Sequence, residues 1–178
     1  MNHSPRFRYI FIGAALLGGI SLSVAYIAEY AFDLFPCFLC VYERIPYALS
    51  LLLGLLGWVK PKAFPETLIL LLFCSFFMGS ALSFYHVGVE HHVFTSPEIC
   101  SGKSEALDAK TIQDLQTALN STPIVRCDEV LFRFLGLSMT EYNLFLSLFV
   151  SGILGATLIK LWNKTHKRKN RHKHHALF

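Results

Sequence analysis

Charge is what this sequence has least of. Only 16% of its 178 residues are Asp, Glu, Lys or Arg, against 53% hydrophobic, a balance too apolar for a soluble domain that must cover its own surface. The shortage excludes a water-exposed globular protein and makes the bilayer the solvent. Amphipathic spacing is also scarce, because the apolar residues come in long blocks. Those blocks offer little polar material beyond Ser75 and Ser83 in the third, which argues against a transporter or assembly factor with buried polar residues in mid-membrane. Nor does a nucleic-acid-binding motif accompany the basic residues, so no nucleic-acid partner is expected.

A hydrocarbon layer about 30 Å thick takes about 20 apolar residues in a helix. Four stretches approach that length: Tyr9 to Ala31, Phe38 to Val59, Thr67 to Tyr85 and Tyr142 to Trp162. The expectation is an all-α, polytopic four-transmembrane-helix bundle, one membrane domain over residues 1–178. Pro36, Pro61 and Pro65 fall in the short connections, where proline suits a turn and cannot prolong a helix without losing a backbone hydrogen bond. Residues 87–141 form a long polar loop, and 163–178 a basic tail.

Lys and Arg set the orientation, since short loops rich in them stay in the cytoplasm. Arg6 and Arg8 precede the first stretch, Lys60 and Lys62 separate the second and third, and Lys160, Lys164, Lys167, Arg168, Lys169, Arg171 and Lys173 close the chain. Both termini are therefore expected inside and the long loop outside, which demands an even number of spans. A cleaved signal peptide is the rival for the N-terminus, but an apolar run near 20 residues is longer than a signal h-region. The basic tail reads as a topology anchor beside anionic lipid.

Five cysteines are present. Cys74 lies within a span among Leu72, Phe73 and Phe76 and reads as a small hydrophobe. Cys37 and Cys40 make a C-x-x-C between the first two spans, open to three readings: a redox pair, half a zinc site, or two unrelated small residues. Zinc asks for two further soft ligands, and there is no second C-x-x-C, so no metal is expected. Pro36 before the second helix directs the positive end of the helix dipole at the two sulfurs. Arg44 follows Cys40 by four residues, on the same helical face one turn deeper, a cation where a thiolate must form. Its other reading is an interfacial residue snorkelling to phosphate. Cys100 and Cys127 bracket a polar segment of the long loop. Joined, they are a structural staple worth about 3 kcal/mol in the chain-entropy description, or a second redox pair able to exchange with the first through mixed disulfides.

Within the loop, Leu107, Ile112, Leu115 and Leu119 make an imperfect helical stripe, with Glu105, Asp108, Lys110 and Gln113 on its wet face. Val130, Leu131, Phe132, Phe134 and Leu135 are too apolar for free solvent and too few to span, so they are expected at the membrane interface. His86 and Glu90, one helical turn apart, with His91 and His92, are weak metal candidates without a third well-spaced ligand. His86 or Glu90 is instead a candidate for a quinone pocket.

Three segments together resemble the DsbB family of disulfide bond formation proteins: Pro36-Cys37-Phe38-Leu39-Cys40-Val41-Tyr42-Glu43-Arg44, Tyr85-His86-Val87-Gly88-Val89-Glu90, and Arg126-Cys127-Asp128-Glu129 with Phe132-Arg133-Phe134-Leu135-Gly136-Leu137-Ser138. The C-x-x-C alone is weak; the ordered combination covers essentially the whole chain. The resemblance implies a bacterial inner-membrane thiol:quinone oxidoreductase with its redox sites on the periplasmic side. In it a Cys100–Cys127 disulfide takes electrons from a reduced DsbA-type thiol oxidase. A Cys37–Cys40 pair then hands them to ubiquinone or menaquinone, with Cys40 facing the quinone and Arg44 its partner. The segment from Tyr85 to His92 looks like a distinct branch of the family.

Two enzymatic rivals are weaker. A vitamin K epoxide reductase-like protein also couples a C-x-x-C and loop cysteines to a quinone, but Glu43-Arg44 fused to the motif argues against it. A reductant importer of the DsbD type requires its redox cysteines within spans, where only Cys74 sits.

Overall fold

The computed structural model describes residues 4–60, 64–97, 100, 111–113, 125–130 and 132–175. Its helices are α1 (Ser4–Ala31), α2 (Phe38–Tyr42), α3 (Ile45–Val59), α4 (Pro65–Glu90) and α5 (Met139–His175), with short strands β1 (Arg133–Phe134) and β2 (Leu137–Ser138) before α5. Among the described residues, four segments are long and apolar enough to cross a membrane: Phe7–Ala31, Phe38–Val59, Pro65–Glu90 and Met139–Lys164. The chain is thus a mostly helical, multi-pass membrane protein.

The second span is not one continuous helix. Pro46 has no N–H to bond back to Tyr42, so α2 ends in a turn at Glu43 and Arg44 before α3 begins. The third span runs further than its apolar block, through His86 to Glu90, and the fourth begins at Met139, so the loop expected over 87–141 is shortened at both ends. Hydropathy alone ends a helix at its first polar residues, yet here those residues find partners inside the bundle.

Along the bundle α1 packs on α3, α3 on α4, and α4 on α5. Small residues permit the first contact: a Cβ on Gly18 would lie 2.5 Å from the Tyr47 carbonyl oxygen, and one on Gly54 would lie 2.6 Å from the Ala15 nitrogen. In lipid, where the solvent is as apolar as the side chains, such close backbone approach is a main source of helix association. Phe11, Tyr47, Ile69, Leu72, Phe76 and Leu154 form the buried centre, with the Tyr47 and Phe76 rings edge-to-face at 5.8 Å. Cys74 points outward from this core.

After α4 the chain folds back over the helix end. Val93 N–H and Phe94 N–H both donate to the Gly88 carbonyl, at 2.7 and 3.0 Å, and the Phe94 ring fills the space a side chain on Gly88 would need. Tyr85 stacks on Phe94 at 5.6 Å and donates its hydroxyl to the Thr95 carbonyl at 2.9 Å. On the other side, β1 and β2 form an antiparallel hairpin through Leu135 and Gly136, both at positive φ of 52° and 87°, as a two-residue type I′ connection requires. The hairpin leads into α5 through a capping box. Glu141 N–H donates to Ser138 Oγ at 3.2 Å, and Ser138 N–H donates to Glu141 Oε2 at 2.7 Å. Phe132, Phe134 and Leu135 stay exposed. Most of the amphipathic stripe expected over Leu107 to Leu119 lies outside the described residues.

Candidate redox site

Pro36 leads directly into α2, and Cys37 caps that helix, its Sγ accepting from the Cys40 N–H at 3.3 Å. The two sulfurs lie 2.7 Å apart as free thiols, Cys37 buried and Cys40 half-buried. Hydrogen bonds from the Cys40 thiol and backbone N–H, opposed by burial, hold the Cys37 thiol below the ordinary thiol range. Cys100 and Cys127 are joined in a disulfide with Cα atoms 5.4 Å apart. All but Cys40 are buried in one cluster with Leu39 and Val89, and Cys40 packs against its edge. The loop pair and the C-x-x-C therefore share one packed neighbourhood.

A polar network reaches from this cluster into the bundle. His86 Nε2 faces Cys37 Sγ at 3.6 Å, and its Nδ1 meets Glu43 Oε1 at 3.0 Å. The other Glu43 oxygen accepts from Asn143 Nδ2 at 2.8 Å, which also donates to Ser83 Oγ at 2.9 Å. Tyr47 donates its hydroxyl to Asn143 Oδ1. Glu90 instead ties α4 to the start of α5, accepting from Ser138 Oγ and Thr140 Oγ1, each at 2.6 Å.

Arg44 departs from the expected pairing with Cys40. Sitting in the turn between α2 and α3, it sends Nη1 to Glu29 Oε2 at 2.6 Å and lays its guanidinium 5.0 Å over the Tyr26 ring. A cation half-withdrawn from water takes the carboxylate and the ring face that α1 offers.

Cys37, Cys40, Arg44, His86 and Glu90 all border one cavity of about 350 Å³. Its remaining wall is mostly apolar, including Ile20, Val24, Ala28, Leu34, Phe132 and Leu146. A lipid-soluble ring compound fits such a site, with an apolar wall for the ring and a few polar groups among the lining residues. Cys37, Cys40 and His86 also bring three donor atoms within 4.8 Å of one another. Two thiolates on one tetrahedral zinc ion, with bonds of about 2.3 Å, stand about 3.8 Å apart, well beyond the 2.7 Å here.

The sequence model of disulfide bond formation protein DsbB matches residues 7–157. The chain belongs to the DsbB family. Among curated proteins, an uncharacterized protein of Rickettsia prowazekii is 36% identical over 94% of this chain and 96% of its own length. Disulfide bond formation protein B of Pasteurella multocida is 29% identical over 75% of the chain and 72% of its own length. That of Actinobacillus pleuropneumoniae is 30% identical over 64% of each. As a DsbB-family protein with spanning helices, the chain is a disulfide-forming membrane oxidoreductase.

Several residues of this DsbB-family site owe their place to contacts between distant parts of the chain. Glu29, Tyr47 and Asn143 show nothing of their pairings in the sequence, and Ser83 stands out there only as a scarce polar residue of the third span, since each partner lies far off in the chain: Glu29 is 15 residues from Arg44, and Asn143 is 100 from Glu43. Glu43 stood inside the recognised motif without a role. A single polar residue in an apolar block is the available signal, and Asn143 and Glu29 both qualify. The scarcity of polar groups in the spans is accordingly less complete than Ser75 and Ser83 suggest: Glu43, Ser50, Ser80, Ser83, His86, Ser147 and Ser151 are all buried.

Proposed function

We propose that the chain reoxidises a periplasmic DsbA-type dithiol protein and passes its electron pair, through two cysteine pairs, to ubiquinone or menaquinone in the bacterial inner membrane. One observation carries the reading: the Cys100–Cys127 disulfide shares a buried cluster with Cys37, while Cys37 and Cys40 also border an apolar cavity. A donor is met on one side of the C-x-x-C and a lipid-soluble acceptor on the other. The two relatives described as disulfide bond formation protein B support the same reading.

The balance is simple. A donor thiolate attacks the Cys100–Cys127 disulfide, a mixed disulfide forms, and the second donor thiol resolves it to leave the donor oxidised and the loop pair as dithiol. The loop thiols reduce the Cys37–Cys40 disulfide in the same manner, and closing that disulfide again releases two electrons and two protons. A quinone supplies the two-electron, two-proton acceptor chemistry from within the lipid phase. Cys40 on the cavity wall is the quinone-facing thiol; Arg44, His86 and Glu90 line the same space. The terminal acceptor has to be strongly oxidising, because a DsbA-type donor stands near about −120 mV and each 30 mV of two-electron driving force is worth about 1.4 kcal/mol. Lys and Arg at the termini and between the second and third spans favour cytoplasmic ends, with both cysteine pairs toward the periplasm.

The direct test is quinone reduction by the detergent-purified protein supplied with reduced DsbA, comparing the native chain with Cys40→Ser and Cys127→Ser. Turnover is expected in the native protein and lost in both variants; turnover that survives both substitutions refutes the relay.

A further inference from the structure

Oxidising a dithiol moves protons as well as electrons, and the Cys37 thiol is buried away from water that could take its proton. The group aimed at its sulfur is His86, whose Nε2 lies 3.6 Å from Sγ. The far side of that imidazole is fixed by Glu43, 3.0 Å from Nδ1. A carboxylate accepts there, so Nδ1 carries the hydrogen and the Nε2 lone pair is left facing the thiol. Glu43 is held in turn by the Asn143 amide at 2.8 Å, and that amide is oriented by Ser83 Oγ at 2.9 Å and by the Tyr47 hydroxyl. The arrangement is that of a nucleophile, a base and an orienting carboxylate, the geometry by which a weakly acidic side chain is activated. Its members come from four places in the chain: Cys37 before α2, Glu43 in the turn after it, His86 on α4 and Asn143 on α5.

We propose that His86 is the catalytic base that takes the Cys37 proton, with Glu43 and Asn143 as its positioning residues. The inference rests on the relay proposed above and assigns its proton path. When the Cys37–Cys40 disulfide closes, two S–H bonds break, one S–S bond forms, and two electrons and two protons leave. The electrons pass to the quinone. The Cys37 proton moves to His86 Nε2, and since His86 also lines the cavity, it is returned there; with the Cys40 proton it completes the quinol. The ionisable groups facing His86 are Cys37 and Cys40, Glu43, and Glu90 one turn along α4. Arg44 on the cavity wall is engaged by Glu29 of α1. A purely structural His86 would serve equally well with any donor to Glu43 in its place, and this separates the two roles.

The experiment follows alkylation of Cys37 by iodoacetamide as a function of pH in the full-length, chemically reduced, quinone-free protein, read by peptide mass spectrometry. His86→Gln keeps a donor for Glu43 and removes the base; Glu43→Gln keeps the base and removes the orienting charge. The midpoint of the profile, unlike the absolute rate, does not depend on how accessible the sulfur is. Expected is an upward shift of the midpoint by about one unit or more in His86→Gln, which is about tenfold less thiolate at neutral pH, and a smaller upward shift in Glu43→Gln. In quinone reduction, His86→Gln is expected to lose about 10²–10⁴-fold in kcat, with part of the loss recovered at alkaline pH. A midpoint unchanged in His86→Gln, with a melting temperature in detergent equal to the native protein's as a check on folding, overturns the inference even where native turnover is normal. A shifted midpoint in a protein that reduces no quinone upholds the proton path and removes the relay, because the alkylation uses neither donor nor acceptor.

Discussion

At the scale of single residues, the cysteines and Arg44 stand out in the sequence because their signals are local, a pair of thiols three residues apart and a cation one turn on. What Arg44 touches was not legible, because its carboxylate comes from another helix. The pairing with Glu29 at 2.6 Å and the stack over Tyr26 at 5.0 Å use both the planar fork and the face of a guanidinium, neither of which lysine reproduces. Arg44→Lys is therefore expected to raise KM for quinone about tenfold, the equivalent of about 1.4 kcal/mol, with a smaller change in kcat; steady-state quinone reduction at saturating donor measures it. Beside Cys127, Arg126 chelates Asp128 through Nε and Nη2 at 3.0 and 2.6 Å and holds its carboxyl below the usual aspartate range. A depressed carboxyl contributes stability above its unfolded value of about 3.9 and loses it as pH falls through the folded value. Protection factors for amide exchange in residues 125–130, which remove the intrinsic effect of pH on the rate, are thus expected to fall under acid in the native protein. Arg126→Ala moves that onset to higher pH, and identical profiles for the two would count against the pairing.

At the scale of elements, the four apolar blocks announced the spanning helices, since hydropathy alone decides what the bilayer accepts. Their ends were misjudged wherever a polar residue at the margin is satisfied by another helix, as Glu90 is by Ser138 and Thr140. The hairpin from Arg133 to Ser138 was hidden for a different reason: it rests on a positive φ at Leu135, a residue with no turn preference of its own. Leu135→Asn, which tolerates that backbone region, is expected to stabilise the hairpin by about 1 kcal/mol, visible as slower amide exchange at Phe134 and Leu137. Helix contact offers a sharper test. Gly54→Val drives a side chain into the α1 backbone, whereas Gly13 has nothing within 4 Å of an added Cβ. The first is expected to cost about 1–3 kcal/mol and lower the melting temperature in detergent, and Gly13→Ala to leave it unchanged.

At the scale of the whole molecule, the basic residues at both ends make a prediction about topology. A reporter that works only in the periplasm is expected to be silent when fused after Phe178 and active when inserted near Ile112. The reverse pattern would turn the redox site toward the cytoplasm, where glutathione and thioredoxin keep thiols reduced. The burial of the loop disulfide bears on the same chemistry. Cys100 and Cys127 are 2% and 1% exposed, and thiol–disulfide exchange needs the attacking sulfur to reach one of the pair. A small thiol colliding at random meets only the outside of a packed cluster. A protein that docks and lifts this part of the chain gains the contact surface that repays the opening. In the relay proposed above, the covering over those two sulfurs would act as a filter, admitting electrons by recognition and keeping the quinone pool from being drained by every reductant that drifts past.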